Sequence, residues 1–240
     1  MRGLSGMRVG VTGAAGGIGT AIVDRLVAEG ARVVGFDMIQ PEHEGLEFGG
    51  AVDVTDEAAV NNAVSEAISV TGGLDAVVAG AGIQASSPTH ELDVETFRKV
   101  LDVSVIGTFL TVKAVLPGML ERGSGRIVTL GSTAAVCAAP GLSSYSASKG
   151  AVLQFTRSIA VEYAQQGIRA NCLCPGGTMT PMMVEIDRKR QGPDKFREAH
   201  PVNRYADPSE IAAAAAYLLS DDSSFVVGAA LMADGGFSAR

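Results

Sequence analysis

Short apolar runs alternate with longer polar-and-apolar segments along the whole chain of 240 residues. The apolar runs predict strands at 7–12, 31–36, 46–52, 74–79, 126–130, 168–173 and 229–233. The segments between them predict helices at 20–29, 56–70, 94–121, 145–166 and 208–219, the third interrupted near Gly107 and Pro117. The segment from Pro175 to about Ala206 is predicted to be irregular.

Strands that alternate with helices from end to end predict an α/β fold, a doubly wound parallel sheet with helices on both faces. No linker, low-complexity run or internal repeat divides the chain, so we predict one domain over 1–240, with a lid at about 178–206. Ligands of such sheets bind at the carboxyl ends of the strands. The predicted strand ends are followed by the glycine-rich run 13–19 and by Asp37, Asp53, Gly80, Ser132 and Pro175.

The first of these ends carries a glycine turn. Gly13, Gly17 and Gly19, with Ile18 between the last two, lie between a strand and a helix, and a second strand ends at Asp37. Glycines permit a tight turn and let backbone N–H groups approach a pyrophosphate at a helix N-terminus. The spacing Gly-x-x-x-Gly-x-Gly in this strand–helix–strand unit predicts dinucleotide binding.

Asp37 favours NAD over NADP. A carboxylate at the end of the second strand can accept both hydroxyls of an adenosine ribose and would repel a 2′-phosphate. The glycine run contains no Lys or Arg, Met38 follows the acid, and the next loop carries further acids at 42, 44 and 47. The alternative is that Asp37 only caps its strand.

Tyr145 and Lys149 are four residues apart and therefore share one face of a predicted helix. An ammonium beside a phenol favours the phenolate, which suits a general acid/base acting on an alcohol or ketone. The alternative is that these two residues form only a surface pair. Ser132 follows the preceding strand, and its residue type alone is equally typical of a cap at the strand end.

Composition narrows the class of partner. The net charge of −7 argues against nucleic acid or an anionic membrane as the main partner. The first predicted strand begins too early to leave room for a signal peptide, and the longest clearly apolar run, 211–219, is too short to span a bilayer. We therefore expect a soluble cytoplasmic protein. Cys137, Cys172 and Cys174 predict no disulfide framework and are interpreted as structural thiols, and we predict no metal site.

These motifs together resemble the classical short-chain dehydrogenase/reductase family over essentially the whole chain. Thr12-Gly13-x-x-x-Gly17-Ile18-Gly19 is similar to the family's cofactor motif, and Ser132 precedes Tyr145 by 13 residues, as the family's serine precedes its tyrosine. Tyr145-x-x-x-Lys149 is similar to the catalytic pair. Further matches are Pro175-Gly176 with Thr180, Pro208-Ser-Glu210-Ile-Ala212 and Asp234-Gly235-Gly236.

The resemblance implies a Rossmann-type fold and an oxidoreductase. Tyr145 would be the acid/base, Lys149 would favour its phenolate and hold the nicotinamide ribose, and Ser132 would stabilise the substrate oxygen. The implied cofactor contacts are Gly13, Gly17, Ile18, Gly19, Asp37, Asp53, Val54, Gly80, Tyr145, Lys149, Pro175, Gly176 and Thr180. A homotetramer formed by pairing of helix faces is the assembly it implies.

Two segments depart from the family pattern. The usual Asn-Asn-Ala-Gly after the fourth strand is Ala79-Gly-Ala-Gly82 here, which removes side-chain amide bonds between neighbouring strands. The fourth catalytic residue, usually an Asn that holds a water linked to the lysine, is replaced by Ser104. A serine hydroxyl can hold a water too, with shorter reach and a single donor.

Small apolar residues at 134–139 and methionines near the start of the lid predict a roomy apolar substrate pocket. We expect hydride transfer between NAD(H) and a secondary alcohol or ketone with a hydrophobic or alicyclic body. An acyl-carrier-protein ketoreductase is the first alternative, which Asp37 opposes because those enzymes favour NADP(H). A non-catalytic NAD-sensing protein is the second.

Overall fold

The computed structural model describes residues 1–189 and 192–239. Its strands form a single parallel sheet in the order β3-β2-β1-β4-β5-β6-β7. The strands are β1 (Arg8–Thr12), β2 (Arg32–Asp37), β3 (Leu46–Ala51), β4 (Ala76–Ala79), β5 (Gly125–Leu130), β6 (Ile168–Pro175) and β7 (Ala230–Ala233). The order reverses between β1 and β4, and this topological switch point is where such sheets bind ligands. The predicted doubly wound, Rossmann-type fold is thus confirmed.

Helices cover both faces of the sheet. They are α1 (Gly17–Ala28), α2 (Glu57–Thr71), α3 (Val94–Leu101), α4 (Gly107–Glu121), α5 (Ser143–Tyr163), α6 (Pro181–Lys189), α7 (Lys195–Glu198) and α8 (Pro208–Leu219). One core lies between the sheet and α1 and α8, where Ile22, Leu26 and Leu219 are fully buried. The other core lies under α2, α4 and α5 and includes Val115 and Ile159. Both strand faces are buried, which explains why the strands read as continuous apolar runs.

The third predicted helix is continuous, contrary to the predicted interruptions. A π-helical turn, Asp102–Ile106, joins α3 to α4, and Pro117 lies inside α4. Within the described ranges, Val94–Glu121 is the one helix long and apolar enough to cross a membrane, and 44% of its most apolar window is buried in the fold, as core helices also are. The sequence analysis considered only the shorter run 211–219 and did not single out this helix.

The segment predicted to be irregular contains two helices. The Thr180 hydroxyl accepts a hydrogen bond from the Met183 N–H (3.3 Å), and Pro181 occupies the first position of α6. Asp194 caps α7 by accepting from the Arg197 N–H. Proline at the first helical turn costs no hydrogen bond, so a residue that suggested a loop in fact begins a helix. Positions 190 and 191 lie outside the described residues.

Candidate functional site

The glycine turn is tightly packed against the end of β4. Gly13 has φ +76°, and a Cβ there would lie 2.8 Å from the carbonyl carbon and oxygen of Gly80. A Cβ on Gly19 would lie 1.9 Å from the Gly13 oxygen. Side chains are therefore excluded at both positions, and the backbone forms an open cradle.

Helix α1 begins at Gly17, three residues before the predicted start at Thr20. Gly16 takes an extended conformation before the helix and supplies no side-chain cap, and the Thr20 N–H bonds to the Gly16 oxygen. The amides of Gly17, Ile18 and Gly19 thus belong to the first helical turn, where N–H groups have no partner within the helix. Together with the helix dipole they form a site suited to a pyrophosphate.

Asp37 is bonded to the glycine turn. Its Oδ2 accepts from the Ala15 N–H (3.0 Å) and its Oδ1 from the Met38 N–H (2.7 Å). These bonds orient the carboxylate at the end of β2, beside the cradle. The position is that required of an acid which accepts ribose hydroxyls.

Asp53 and Val54 follow β3 at the carboxyl edge of the sheet. Asp53 presents its carboxylate there, and Val54 presents its backbone. The Thr55 hydroxyl and N–H both donate to Asp53 Oδ1 (2.7 and 2.9 Å), and these bonds hold the pKa of the Asp53 carboxyl below its usual value. The side chain of Val54 is buried against Gly107, where a Cβ would lie 2.6 Å from Val54 Cγ2. Only the backbone of Val54 can therefore contact a cofactor.

The Thr12 side chain makes a hydrogen bond that the sequence analysis did not predict. Its Oγ1 accepts a hydrogen bond from the Gly80 N–H (3.1 Å) and so ties the end of β1 to the end of β4. The side-chain amides missing from Ala79–Gly82 are thus replaced in part by a hydroxyl on the neighbouring strand. Its place as the last residue of β1, directly before Gly13, is the signal that could have identified it.

Ser132, Tyr145 and Lys149 converge at the end of β5. Ser132 is buried, and its Oγ accepts from the Ala134 N–H (3.1 Å). Helix α5 begins at Ser143, so Tyr145 lies in its first turn and Lys149 one turn later. The Lys149 ammonium is buried, donates to the Leu130 oxygen (2.8 Å) and lies 5.7 Å from the centre of the Tyr145 ring.

Ser104 lies in the π-helical turn and faces the same lysine. A Cβ built on Gly82 would lie 3.2 Å from Lys149 Nζ and 3.4 Å from Ser104 Oγ, so both atoms point at the backbone of Gly82. Ser104 is fully buried, and its hydroxyl has no hydrogen-bond partner among the residues that the structure describes. π-helical turns are frequent at functional sites.

The end of β6 supplies the remaining predicted residues. Pro175 ends the strand, and the Gly176 N–H donates to the Ala233 oxygen at the end of β7 (3.0 Å). Thr180 lies beside the glycine turn, because a Cβ on Gly17 would lie 3.0 Å from Thr180 Cβ and 2.8 Å from Pro181 Cδ. The start of the segment that we predict to be a lid, about 178–206, therefore packs near the cradle.

The thiols lie behind Ser132. Cys172 and Cys174 are fully buried on one face of β6, with their sulfurs 3.7 Å apart, while Cys137 is half-buried. The hydrogen bond with the Cys172 sulfur, and to a smaller extent burial, raise the pKa of the Cys174 thiol. This pair packs under Gly131 as structural thiols, and no group of three metal-ligating side chains occurs in residues 1–189 and 192–239.

Comparisons with known proteins agree with this architecture. The family model described as Enoyl-(Acyl carrier protein) reductase matches residues 13–238. 2-(S)-hydroxypropyl-CoM dehydrogenase 3 of Xanthobacter autotrophicus is 38% identical over 96% of both chains. 2,5-dichloro-2,5-cyclohexadiene-1,4-diol dehydrogenase of Sphingobium indicum is 40% identical over 100% of both. The crystal structure of 3-ketoacyl-(acyl-carrier-protein) reductase from Brucella melitensis, complexed with NADH, has 31% identity and a TM-score of 0.90 over 98% of this chain and 99% of that one.

The parallel sheet and its glycine turn define a Rossmann-type α/β protein. Within that class, the matched family model and relatives show that the chain belongs to the short-chain dehydrogenase/reductase family. It is accordingly an oxidoreductase that acts on CH–OH groups. The resemblance drawn from the motifs is confirmed.

Proposed function

We propose that the protein is an NAD-dependent dehydrogenase that transfers a hydride between NAD(H) and a secondary alcohol or ketone. The observation that carries this proposal is the convergence of Ser132, Tyr145 and the buried Lys149 at the end of β5. The cradle fits a dinucleotide, because backbone amides line it and glycines keep it free of side chains. When bound, the nicotinamide supplies the hydride acceptor or donor.

The chain's own residues handle the proton and the developing charge. In the oxidative direction, the proton of the alcohol O–H passes to the Tyr145 phenolate. The hydrogen on the alcohol carbon leaves as a hydride. The Lys149 ammonium stabilises that phenolate electrostatically and has further N–H groups for the nicotinamide ribose. Ser132 donates a hydrogen bond to the substrate oxygen as its charge changes. Ser104 holds a water near Lys149 and so continues the proton path.

Residues along the whole edge of the sheet would hold the cofactor. Asp37, Asp53, the backbone of Val54 and Gly80 would contact the adenosine half. The turn from Gly13 to Gly19, with Ile18 in the first helical turn, would bind the pyrophosphate. The residues that would contact the nicotinamide half are Tyr145, Lys149, Pro175, Gly176 and Thr180. All these groups belong to one domain, residues 1–240, with the lid at about 178–206.

Asp37 supports the choice of NAD. Its carboxylate is fixed beside the cradle by two backbone amides, and Met38 beside it is largely exposed and uncharged. A 2′-phosphate placed there would meet like charge. Titration of the purified protein with NADH and with NADPH, followed by nicotinamide fluorescence, tests this. We expect NADH to bind at least about tenfold more tightly, and tighter NADPH binding would contradict the role of Asp37.

Substrate size and polarity are set by the loop before α5 and by the start of the lid. Val136 and Met179 present partly exposed apolar surface there. The cyclohexadiene-diol relative acts on an alicyclic alcohol by its name, which supports a hydrophobic or alicyclic substrate.

A screen of cyclic and acyclic secondary alcohols with NAD, in the wild type and in Tyr145→Phe, tests both substrate and mechanism. We expect Tyr145→Phe to abolish turnover and to leave NADH binding nearly unchanged; turnover independent of Tyr145 would contradict the mechanism.

A ketoreductase acting on acyl-carrier-protein substrates is the second candidate. The Brucella melitensis ketoreductase is complexed with NADH, so use of NADH does not by itself separate the two functions. Reduction of a 3-oxoacyl thioester at a rate above that of any cyclic ketone would favour the ketoreductase.

We further propose a cytoplasmic homotetramer. A groove between α4 and α5 is lined by Phe109, Leu116, Phe155 and other apolar groups. Val161 and Phe225 are strongly exposed. A second copy that pairs the same helices would cover such apolar surface, and light scattering of the purified protein measures the resulting mass.

A further inference from the structure

His200 is a buried imidazole whose two ring nitrogens both meet backbone groups. Nδ1 lies 2.7 Å from the Phe196 oxygen, and the Gly177 N–H donates to Nε2 (3.0 Å). Because an amide N–H can only donate, Nε2 must be the acceptor, and the ring proton is therefore on Nδ1. Only 2% of the residue is exposed. The surrounding backbone thus fixes the tautomer of this side chain.

Aromatic rings enclose the imidazole. The ring centres of Phe196, Phe237 and Tyr205 lie 5.0, 5.1 and 5.9 Å from that of His200. Asp234 lies beside this cage, and its carboxylate accepts bonds from Ser238 and from the Gly236 N–H.

Two carboxylates, those of Asp234 and Asp194, therefore lie near the imidazole on neighbouring elements. Burial raises the pKa of Asp234, but its hydrogen bonds with Ser238 and Gly236 outweigh this, and the net pKa lies below its usual value. The second acid, Asp194, accepts the Tyr205 hydroxyl and so lies behind that ring. Asp234 is already satisfied by its own turn, and Asp194 is separated from the imidazole by the Tyr205 ring.

The imidazole packs on the turn that follows β6. A Cβ on Gly176 would lie 2.7 Å from Asp234 Cα and 3.0 Å from His200 Nε2, and a Cβ on Gly177 would lie 2.5 Å from the Tyr205 ring. No side chain fits at either glycine, so the turn rests directly on these groups. The next residues lead to Thr180, where the lid begins against the glycine turn.

We propose that His200 is a positioning residue, which holds the Pro175–Gly177 turn in the conformation that receives the nicotinamide half of the cofactor. This inference rests on the proposed function, in which that turn contacts the nicotinamide. A proton added to Nε2 would place two N–H donors face to face, one on the imidazole and one on Gly177. The protonated ring therefore could not accept the bond that holds the turn. The neutral ring is thus required for the turn and, through it, for the start of the lid.

Binding of NADH and of ADP-ribose separates this role from general damage. The two ligands share the adenosine and pyrophosphate contacts, but only NADH carries a nicotinamide. His200→Gln keeps a side-chain acceptor for the Gly177 N–H, whereas His200→Leu removes it at a similar size. We expect His200→Leu to weaken NADH about tenfold and ADP-ribose less than twofold, with His200→Gln between the wild type and His200→Leu. His43→Gln, at a histidine that is bonded to Asp24 of α1 and that, among the described residues, forms no hydrogen bond with the Pro175–Gly177 turn, is the control.

Unchanged NADH binding in His200→Leu, or an equal loss of affinity for NADH and for ADP-ribose, would overturn the proposal. A wild type that binds neither ligand would instead refute the proposed function.

The tautomer is tested without any ligand. Nitrogen-15 spectra of the labelled histidines should show the proton of His200 on Nδ1 near neutral pH, and a proton on Nε2 would overturn the proposed contact.

Discussion

Replacing Ser104 tests the least conventional part of the site. Its hydroxyl is fully buried, lacks a partner among the described residues and points with Lys149 Nζ toward Gly82. If it holds a water in the proton path, Ser104→Ala loses one hydrogen bond of about 1 kcal/mol. Since about 1.4 kcal/mol corresponds to a tenfold change in rate, turnover should fall about fivefold. NADH binding should not change.

Thermal unfolding provides an independent test, because the two roles of Ser104 predict opposite changes in melting temperature. A buried hydroxyl with no partner costs about 1–3 kcal/mol, so its removal would raise the melting temperature. A hydroxyl that holds a water stabilises the fold, so Ser104→Ala should lower the melting temperature by about 2–4 °C. Ser144→Ala is the matched control, because Ser144 is equally buried and its hydroxyl also lacks a partner among the described residues.

Ser104→Asn completes the series. The absent side chain of Gly82 leaves some room beside the hydroxyl, but a larger group at a fully buried position costs about 1–3 kcal/mol of stability. We expect turnover to be kept or raised, because the amide can hold the same water with longer reach. A large loss of turnover in folded Ser104→Asn would show that this site is built differently. Unchanged turnover and a higher melting temperature in Ser104→Ala would refute the relay role altogether.

Three further substitutions test the cofactor edge and the fold. Gly13→Ala forces a side chain into φ +76° and against the carbonyl at the end of β4, so NADH affinity should fall more than about tenfold; Gly123→Ala, with φ +62° and open space, is the control for strain alone. Asp37→Ser should weaken NADH and narrow its advantage over NADPH to a few-fold in the fluorescence titration; an unchanged ratio would contradict the ribose contact. The hydrogen bonds of Arg204 lower the pKa of Glu210 to about 2, so their stabilisation is present above its usual value of 4.5 and is lost as pH falls toward 2. In urea unfolding, Glu210→Gln should cost about 0.5 kcal/mol near neutral pH and nothing near pH 2.

The sequence predicted the strands and their ends well because both faces of the sheet are buried. The central strands β1, β2, β4, β5 and β6 are buried along most of their length and therefore had to be apolar, and most strand ends change abruptly to glycine, acid or serine. Helix boundaries were less accurate. Helix α1 begins inside the glycine run, since glycine is accepted both before and within a first turn when the turn packs closely on β4.

The contacts that the sequence did not reveal join distant residues. His200 meets Gly177 across 23 positions, and the Thr12 hydroxyl meets Gly80 across 68. A histidine in a lid and a threonine at a strand end have many ordinary roles, so neither residue type indicates its partner. Helix α6 was missed for a local reason, because Thr180-Pro181 reads as a turn until the hydroxyl is seen to cap the helix.

The site is held mainly by side chains that bond to the backbone of a neighbouring strand end. Thr12 bonds to the amide after β4, Asp37 to an amide of the glycine turn, Lys149 to the carbonyl that ends β5, and His200 to the amide after β6. Each bond fixes a loop without needing a particular side chain on that loop. This explains how Ala79–Gly82 can lack the usual amides while the edge keeps its shape. The same arrangement makes these four side chains, together with glycines such as Gly13 that have no room for a side chain, the positions at which substitutions should most change cofactor binding.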